Sequence, residues 1–250
     1  MKNHLLFIGL ISILFGSTSC NNSKKNQLPT QNNKISNTSG KDFEKNRSIK
    51  EQRKKPSEFL PEGYVIFEEI YGDLNKDGLE DCIIIIKGTD KSKIIKDEYR
   101  GELDRNRRGI IVLFNKKGYY ELAAKNYDCF SSENEDGGVY FAPELSADVK
   151  KGNLYIHYGH GRYGYWRYTF RFNNPDFELI GYDESSNTGP RVDKETSINF
   201  LTKKKLEKVN INENNESDDE IFEETRKSIN IKELIKLSEI KDFDELDMSY

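Results

Sequence analysis

The segment Asp73–Asp81 has oxygen-bearing side chains at the spacing of a cation-binding loop. Acidic or amide side chains stand at positions 1, 3, 5 and 9 of the segment, namely Asp73, Asn75, Asp77 and Asp81. Gly78 at position 6 permits a sharp bend. The carbonyl oxygen of Leu79 at position 7 would be a further ligand. Because calcium takes about six to eight oxygen ligands, we predict that this loop binds Ca²⁺.

The residues after the loop distinguish it from a helix–loop–helix calcium site. Position 12 is Ile84, where such a site needs an acid, and the apolar run Cys82–Lys87 predicts a buried strand. The loop therefore resembles the strand–loop–strand calcium sites of FG-GAP and VCBS-type repeats. Those repeats occur in series around a propeller, whereas this sequence has one clear copy. We therefore expect an ion that stabilises one hairpin and has a structural rather than a catalytic role.

Two further segments predict strands that present a second candidate site. Tyr165–Phe172 alternates between side chains suited to a core and polar side chains, and Asn153–Tyr158 does the same. If the two strands pair in the corresponding sense, four side chains share one face: Tyr155, His157, Arg167 and Arg171. Such a face could bind an anionic glycan or a peptide carboxylate through arginine. The alternative is a solvated outer face.

Other kinds of chemistry lack a signal in this sequence. It contains no Gly-x-Ser-x-Gly, no His-Glu-x-x-His and no Cys–His context for nucleophilic catalysis. We therefore expect a protein that is not an enzyme, with a cryptic secreted hydrolase as an alternative. The net charge is −4 with both signs interspersed, which argues against a nucleic-acid partner.

The first twenty residues have the layout of an export signal. Lys2 precedes the apolar run Leu5–Phe15, and small residues follow up to Cys20. The run is too short to cross about 30 Å of hydrocarbon as a helix. We predict a signal peptide over residues 1–19 and lipidation of Cys20, which resembles the cysteine of a bacterial lipobox. Ser17 and Ser19 also suit an ordinary signal peptidase, so a freely secreted protein is the alternative.

Composition divides the chain after the predicted signal peptide into three parts. Residues 20–57 are rich in Asn, Lys and Ser and predict a disordered tether. Residues 58–211 predict a mainly β (β-rich α+β) fold, a single antiparallel-sheet domain with one or two helices and not a full propeller. One helix is expected within Lys91–Arg108. Residues 212–250 predict an acidic, partly helical segment that docks on the domain through Ile231, Leu234, Ile235 and Leu237.

Cys82 and Cys129 remain once Cys20 is assigned to the signal. An even number of cysteines in an exported protein is compatible with a disulfide. Cys82 begins an isoleucine run, so two separate buried thiols are the other interpretation.

Several segments together are similar to a family of uncharacterised bacterial lipoproteins: Asp73–Asp81, Arg105–Arg108, Tyr158–Arg162 and Ser197–Thr202. The resemblance implies a cell-envelope, extracytoplasmic protein that is attached to a membrane by its lipid, and it implies no activity. We thus predict an exported lipoprotein with a calcium-stabilised binding or scaffold domain. Its partner would be a glycan or an envelope protein, and a carbohydrate- or cell-wall-binding accessory module is the second interpretation.

Overall fold

A run of isoleucines lies at the centre of the fold. Ile83, Ile84, Ile85 and Ile86 are all fully buried, and successive side chains of a strand point to opposite faces. Both faces of this strand therefore need a cover. The computed structural model describes residues 51–134, 144–212 and 220–250, which lie in one compact unit, Ser48–Tyr250.

The described residues form fourteen strands and four short 3₁₀ turns. The strands are β1 (Gln52–Arg53), β2 (Tyr64–Gly72), β3 (Asp81–Gly88), β4 (Ile94–Asp97), β5 (Gly101–Asp104), β6 (Arg108–Asn115), β7 (Tyr120–Phe130), β8 (Glu144–Lys150), β9 (Asn153–Gly159), β10 (Gly164–Asn173), β11 (Asp176–Thr188), β12 (Arg191–Asn199), β13 (Lys204–Asn210) and β14 (Phe222–Ser228). The 3₁₀ turns are Pro56–Phe59, Lys91–Lys93, Gly161–Tyr163 and Leu237–Glu239.

The strands assemble into two large antiparallel sheets and one small one, so the predicted mainly β class is confirmed. The five-stranded sheet has the order β1-β7-β6-β3-β2. The seven-stranded sheet is a meander in which β8 to β14 are neighbours in chain order. The pair β4-β5 stands apart as a two-stranded sheet.

The main core lies between the two large sheets. Ile83 and Ile85 from β3 share a cluster with Phe170 and Phe177 from the seven-stranded sheet. Phe114 makes an edge-on contact with the Phe172 ring across the sheets, with centroids 4.7 Å apart. Burial of this apolar surface is the main stabilising contribution to such a sandwich.

The other face of the five-stranded sheet has its own cover. Ile84 and Ile86 pack there with Phe59 from the segment that precedes β2. Within that segment β1 pairs with β7. Residues 51–57 therefore belong to the folded unit, which corrects their assignment to the tether. The backbone of β1 is hydrogen-bonded into a sheet and is not a flexible link.

The two cysteines are free thiols in separate places. Cys82 is buried in the cluster on the outer face of the five-stranded sheet, and Cys129 is buried in the core between the sheets. Of the two interpretations, the structure has the separate buried thiols. Burial raises the pKa of Cys82 to about 12, which keeps that thiol protonated at neutral pH.

The helix predicted within Lys91–Arg108 is wrong, because this segment is the hairpin β4-β5. Asp97 accepts hydrogen bonds from the backbone N–H groups of Tyr99 and Arg100, and Gly101 has a φ of 80°. These features make a turn, and the spacing of the apolar residues only coincided with a helical period. The buried Asn106 closes the base of the hairpin through two hydrogen bonds with the backbone of Asp90.

The helix predicted in the C-terminal segment is also wrong for the described residues. β14 pairs along its length with β13, so sheet partners satisfy its backbone groups. The chain after β14 packs on the core in a largely extended form, where Leu179 donates its backbone N–H to the Ile235 carbonyl at 2.8 Å. The apolar residues expected to dock do contact the core: Ile231, Leu234, Ile235 and Leu237.

One carboxylate joins the last three strands of the large sheet. Glu207 accepts hydrogen bonds from Lys194 at 2.9 Å, from Lys227 at 3.1 Å and from Lys205 at 3.3 Å. Lys205 also donates to the Tyr250 carbonyl at 2.8 Å. Hydrogen bonds from Lys194, then from Lys227 and Lys205, lower the pKa of Glu207 from 4.5 to about 2, although desolvation opposes them.

We predict that Glu207 contributes stability above its ordinary pKa. Because the folded-state pKa is the lower one, this contribution is lost as the pH falls from about 4.5 to about 2. Glu207→Gln should lower the free energy of unfolding at neutral pH by on the order of 1 kcal/mol. In this variant the free energy of unfolding should also fall less than in the parent as the pH drops from about 4.5 to about 2. Urea unfolding between pH 2 and pH 7, with Glu223→Gln on β14 as the control, measures both. Parallel pH curves for the two variants would contradict the assignment.

Candidate functional site

The predicted calcium loop is the turn between β2 and β3. Leu74 is buried in the main core and anchors the loop at its start. Lys76 and Gly78 have positive φ values of 62° and 83°, which let the backbone turn back on itself. The loop is thus held between an apolar anchor and the central strand.

The acidic side chains turn inward onto the loop's own backbone. Asp73 accepts the N–H groups of Asp77 at 3.2 Å and Gly78 at 3.0 Å. Asn75 accepts the Asp77 N–H at 2.9 Å, and Asp77 accepts the Leu79 N–H at 3.0 Å. Several oxygens therefore face the inside of one turn.

Asp81 has a different environment from the other loop carboxylates. It is fully buried, and its two oxygens accept the backbone N–H groups of Leu74 at 2.9 Å and Asn115 at 3.0 Å. Desolvation raises the pKa of Asp81, whereas these two N–H groups lower it, and the net shift is upward. Asp81 thereby joins the β2–β3 loop to the end of β6.

Asp77 has a charged partner on the neighbouring turn. Lys116 lies 3.4 Å from the Asp77 carboxylate. Although desolvation opposes it, the Leu79 N–H and Lys116 hold the pKa of Asp77 below its usual value. The side-chain amide nitrogen of Asn75 is buried without a hydrogen-bond partner. Within the ranges that the structure describes, no group of three or more His, Cys, Asp or Glu side chains is arranged to hold a metal ion.

The predicted ligand face lies on the outer side of the seven-stranded sheet. β9 and β10 pair so that His157 is opposite Arg167, Tyr155 is opposite Thr169 and Asn153 is opposite Arg171. The four predicted residues therefore do share one face. The Arg167 guanidinium carbon lies 5.8 Å from the centroid of the Tyr155 ring, within the range of a cation–π contact.

Three of these four side chains line a shallow groove of about 400 Å³. We call it the Arg167 groove, and it is lined by Ser146, Ala147, Asp148, Lys150, Lys151, Tyr155, His157 and Arg167. Arg171 lies outside it and donates a hydrogen bond to Asn153 at 3.1 Å. The groove brings aromatic, neutral polar and basic side chains together.

Arg167 is oriented by a fixed partner. It pairs with Asp183 on β11 at 2.9 Å, and this hydrogen bond raises the pKa of the guanidinium. Its Nε atom is buried without a hydrogen-bond partner. Burial, then the charge of Arg167, lowers the pKa of His157, so His157 is a neutral hydrogen-bonding group at physiological pH.

Sequence reasoning did not assign Lys150 and Lys151 to this face. Lys150 is the last residue of β8 and Lys151 begins the turn between β8 and β9, and β8 itself was not predicted. The signal that could have found them is the sequence Lys150-Lys151-Gly152 directly before a predicted strand, which is typical of a hairpin turn.

A depression of about 590 Å³ lies at the other end of the five-stranded sheet. Two of its polar contacts are internal to the protein: Tyr64 donates to Asp128 at 2.9 Å, and Arg107 pairs with Asp242 at 2.7 Å. It contains none of the predicted site residues. We therefore place the candidate site in the Arg167 groove.

Cys20 and the signal segment lie outside the described residues. Within the described part of the chain, no helix is long and apolar enough to span a membrane. No protein-family model, no curated protein and no solved structure matches this chain. The lipoprotein resemblance, the calcium site and the ligand face therefore stay predictions.

Proposed function

We propose that the protein is an exported lipoprotein whose β sandwich binds an acidic glycan of the cell envelope in the Arg167 groove. The observation that supports this proposal is the groove itself. It combines the oriented guanidinium of Arg167 with the Tyr155 ring and with two lysines, Lys150 and Lys151.

The groove has the groups that an acidic sugar needs. Arg167 can donate hydrogen bonds to a carboxylate, and such charge-assisted bonds are about twice as strong as neutral ones. Tyr155 presents an aromatic surface for the C–H groups of a sugar ring, and neutral His157 can bind a hydroxyl group. Lys150 and Lys151 add positive charge, which favours an anionic ligand over a neutral one.

Cys20 supports the envelope location. Export and lipidation at this residue would attach the chain to a membrane, and residues between Cys20 and Glu51 would act as the tether. A single acyl chain holds a protein only reversibly, so a stable anchor needs more than one chain.

Calcium has a structural role in the proposal. The donor chemistry fits a hard cation, because every candidate ligand atom is an oxygen. These atoms are the side-chain oxygens of Asp73, Asn75, Asp77 and Asp81 and the carbonyl oxygen of Leu79. In the structure Asp77 accepts from Lys116, so the ion would compete with this ammonium group. Its charge would offset the repulsion among the loop carboxylates. The affinity should be on the order of 10⁻⁴–10⁻³ M, as in extracellular modules.

The groove proposal predicts a selective loss of binding. Arg167→Gln should weaken the binding of a hyaluronate tetrasaccharide roughly tenfold, because a charge-assisted hydrogen bond is lost. Arg171→Gln, on the same face outside the groove, is the matched control and should bind as the parent does. Arg171→Gln should keep the thermal midpoint nearly unchanged, as expected for an exposed arginine. Arg167→Gln removes the pair with Asp183 from a half-buried position and should lower the midpoint only slightly, as expected for one ion pair at a surface.

Calorimetric titration with this tetrasaccharide and with neutral chitotetraose measures the selectivity. Equal affinity for the two sugars, with no effect of Arg167→Gln, would overturn the proposed function. The same would follow if no binding of either sugar were detected.

The calcium proposal predicts a metal-dependent thermal midpoint. Calcium at tenfold excess over its Kd should stabilise the fold by about 1.4 kcal/mol relative to EDTA through mass action. Asp77→Ala should remove this increment and leave tetrasaccharide binding intact in the folded fraction, whereas Asp247→Ala is a control that keeps the increment. A thermal midpoint that responds to neither EDTA nor calcium would refute the site.

The anchor proposal predicts a change of cell fraction. Cys20→Ala lacks the lipid-accepting thiol and should move from the membrane fraction to the soluble fraction. Immunoblotting of the two fractions measures the change, and an exposed-serine variant such as Ser92→Ala serves as the control. Retention of Cys20→Ala in the membrane at the parental level would show that the anchor lies elsewhere.

A further inference from the structure

We propose that the ligand of the Arg167 groove is a long polyanion that continues past the groove over two neighbouring hairpin turns. This inference rests on the proposed function and specifies the class of ligand. Two exposed lysines outside the groove, Lys76 and Lys117, would extend the contact with it.

Three hairpin turns meet at one end of the sandwich. The β2–β3 turn touches the β6–β7 turn through the Asp77–Lys116 pair, at 3.4 Å. The β2–β3 turn also touches the β8–β9 turn, where the side chain of Lys76 lies against Gly152. A Cβ atom at residue 152 would lie 2.4 Å from the Cε atom of Lys76. Two lysines that line the groove lie there too: Lys151 belongs to the β8–β9 turn, and Lys150 is the last residue of β8.

Four lysines at or beside these turns are not paired with a carboxylate in the described part of the chain. Lys116 is paired with Asp77. Among the described residues, no ion pair involves four other lysines of the turns: Lys76, Lys117, Lys150 and Lys151. The acids of the same region are Asp73 and Asp81, which accept backbone N–H groups, and the exposed Asp77, Glu80 and Asp148.

The turn backbone does not favour lysine at these positions. Lys76, Lys117 and Lys151 have φ values of 62°, 52° and 55°. Glycine and asparagine adopt this left-handed region most readily, and a side chain like that of lysine costs on the order of 1 kcal/mol there. Each ammonium group is thus held at a place where the turn would be more stable with another residue. Lys203, in the turn between β12 and β13, also has a positive φ of 54°, and its ammonium group donates to the Ile231 carbonyl at 2.9 Å. Contact with an anionic polymer would give Lys76, Lys117 and Lys151 a comparable partner.

A polymer with regularly spaced carboxylates can contact the groove and the turn lysines together. A short ligand reaches only the groove. Binding through linked sites gains from high effective concentration, so affinity should rise with the length of the polymer. Asp148 repels the chain where it crosses the groove.

The test compares a hyaluronate tetrasaccharide with a long hyaluronate oligosaccharide on the calcium-loaded protein. Lys76→Asn/Lys117→Asn removes both charges and installs a residue that the left-handed turns favour, so the fold should be kept. The long oligosaccharide should lose affinity about fivefold, the size expected for two exposed charge pairs. The tetrasaccharide should bind with unchanged affinity.

Matched controls separate this effect from a general change of charge. Lys91→Asn/Lys96→Asn removes two lysines around β4, at the opposite end of the sandwich, and should leave both affinities unchanged. Asp148→Asn should strengthen the binding of both ligands. The calcium-loaded thermal midpoint reports whether the Lys76→Asn/Lys117→Asn variant is folded.

The failures of the two proposals are distinguishable. If Arg167→Gln weakens both oligosaccharides but Lys76→Asn/Lys117→Asn affects neither, the groove stands and the extended contact is wrong. An equal loss for both ligands on Lys76→Asn/Lys117→Asn also overturns the extended contact. If the parent protein binds neither oligosaccharide, both proposals fail.

Discussion

The need to cover β3 on both faces organises the rest of the structure. Its four central isoleucines are fully buried, and a strand with no polar face cannot lie at a sheet surface. One face is covered by the seven-stranded sheet. The other is covered by Phe59 and its neighbours, so the segment before β2 is an integral part of the fold. The segment that precedes β2 therefore covers the outer face of the central strand β3.

The two ends of the sandwich have different architectures. At one end, tight turns connect neighbouring strands, and Asp81 links the β2–β3 loop to Asn115 at the end of β6. Gly72 and Val149 bring the edge strands β2 and β8 together there, since a Cβ atom at residue 72 would lie 2.5 Å from the Val149 Cβ. At the other end the connection from β3 to β6 is longer and includes the hairpin β4-β5. By contrast, short turns restrict the backbone at the end of the sandwich where the β2–β3 loop and the β8–β9 turn meet.

The loop Asp73–Asp81 and the Arg167 groove are close in space but differ in what their polar groups already do. The loop carboxylates satisfy backbone N–H groups and one lysine, so the loop has an internal stabilising role even without an ion. In the groove, Lys150 and Lys151 have no such partner within the described residues. The lysines of the groove are therefore available to a ligand, whereas the carboxylates of the loop mainly stabilise the fold. Because its lysines are available, the groove is the place proposed for ligand contact.

The sequence by itself determined the elements whose signals are local. The apolar run after Asp81, the alternation in Tyr165–Phe172 and the turn residues of Asp73–Asp81 each depend on neighbours in the chain, and the mainly β class followed from them. The shared face of Tyr155 and Arg167 followed from the same alternation. Every second side chain of a strand lies on the same face of the sheet, and this holds for both of the paired strands.

The tertiary structure decided what depends on distant partners. Lys91–Arg108 and the C-terminal segment have helical spacing, yet both contain strands. In Lys91–Arg108, Asp97 and Gly101 form the turn of a hairpin. In the C-terminal segment, β14 pairs with the edge of β13. The groove required β8, whose short alternating pattern carries little signal until β9 pairs with it. Only the packed fold brings Gly152 next to Lys76, since this contact joins turns that are far apart along the chain.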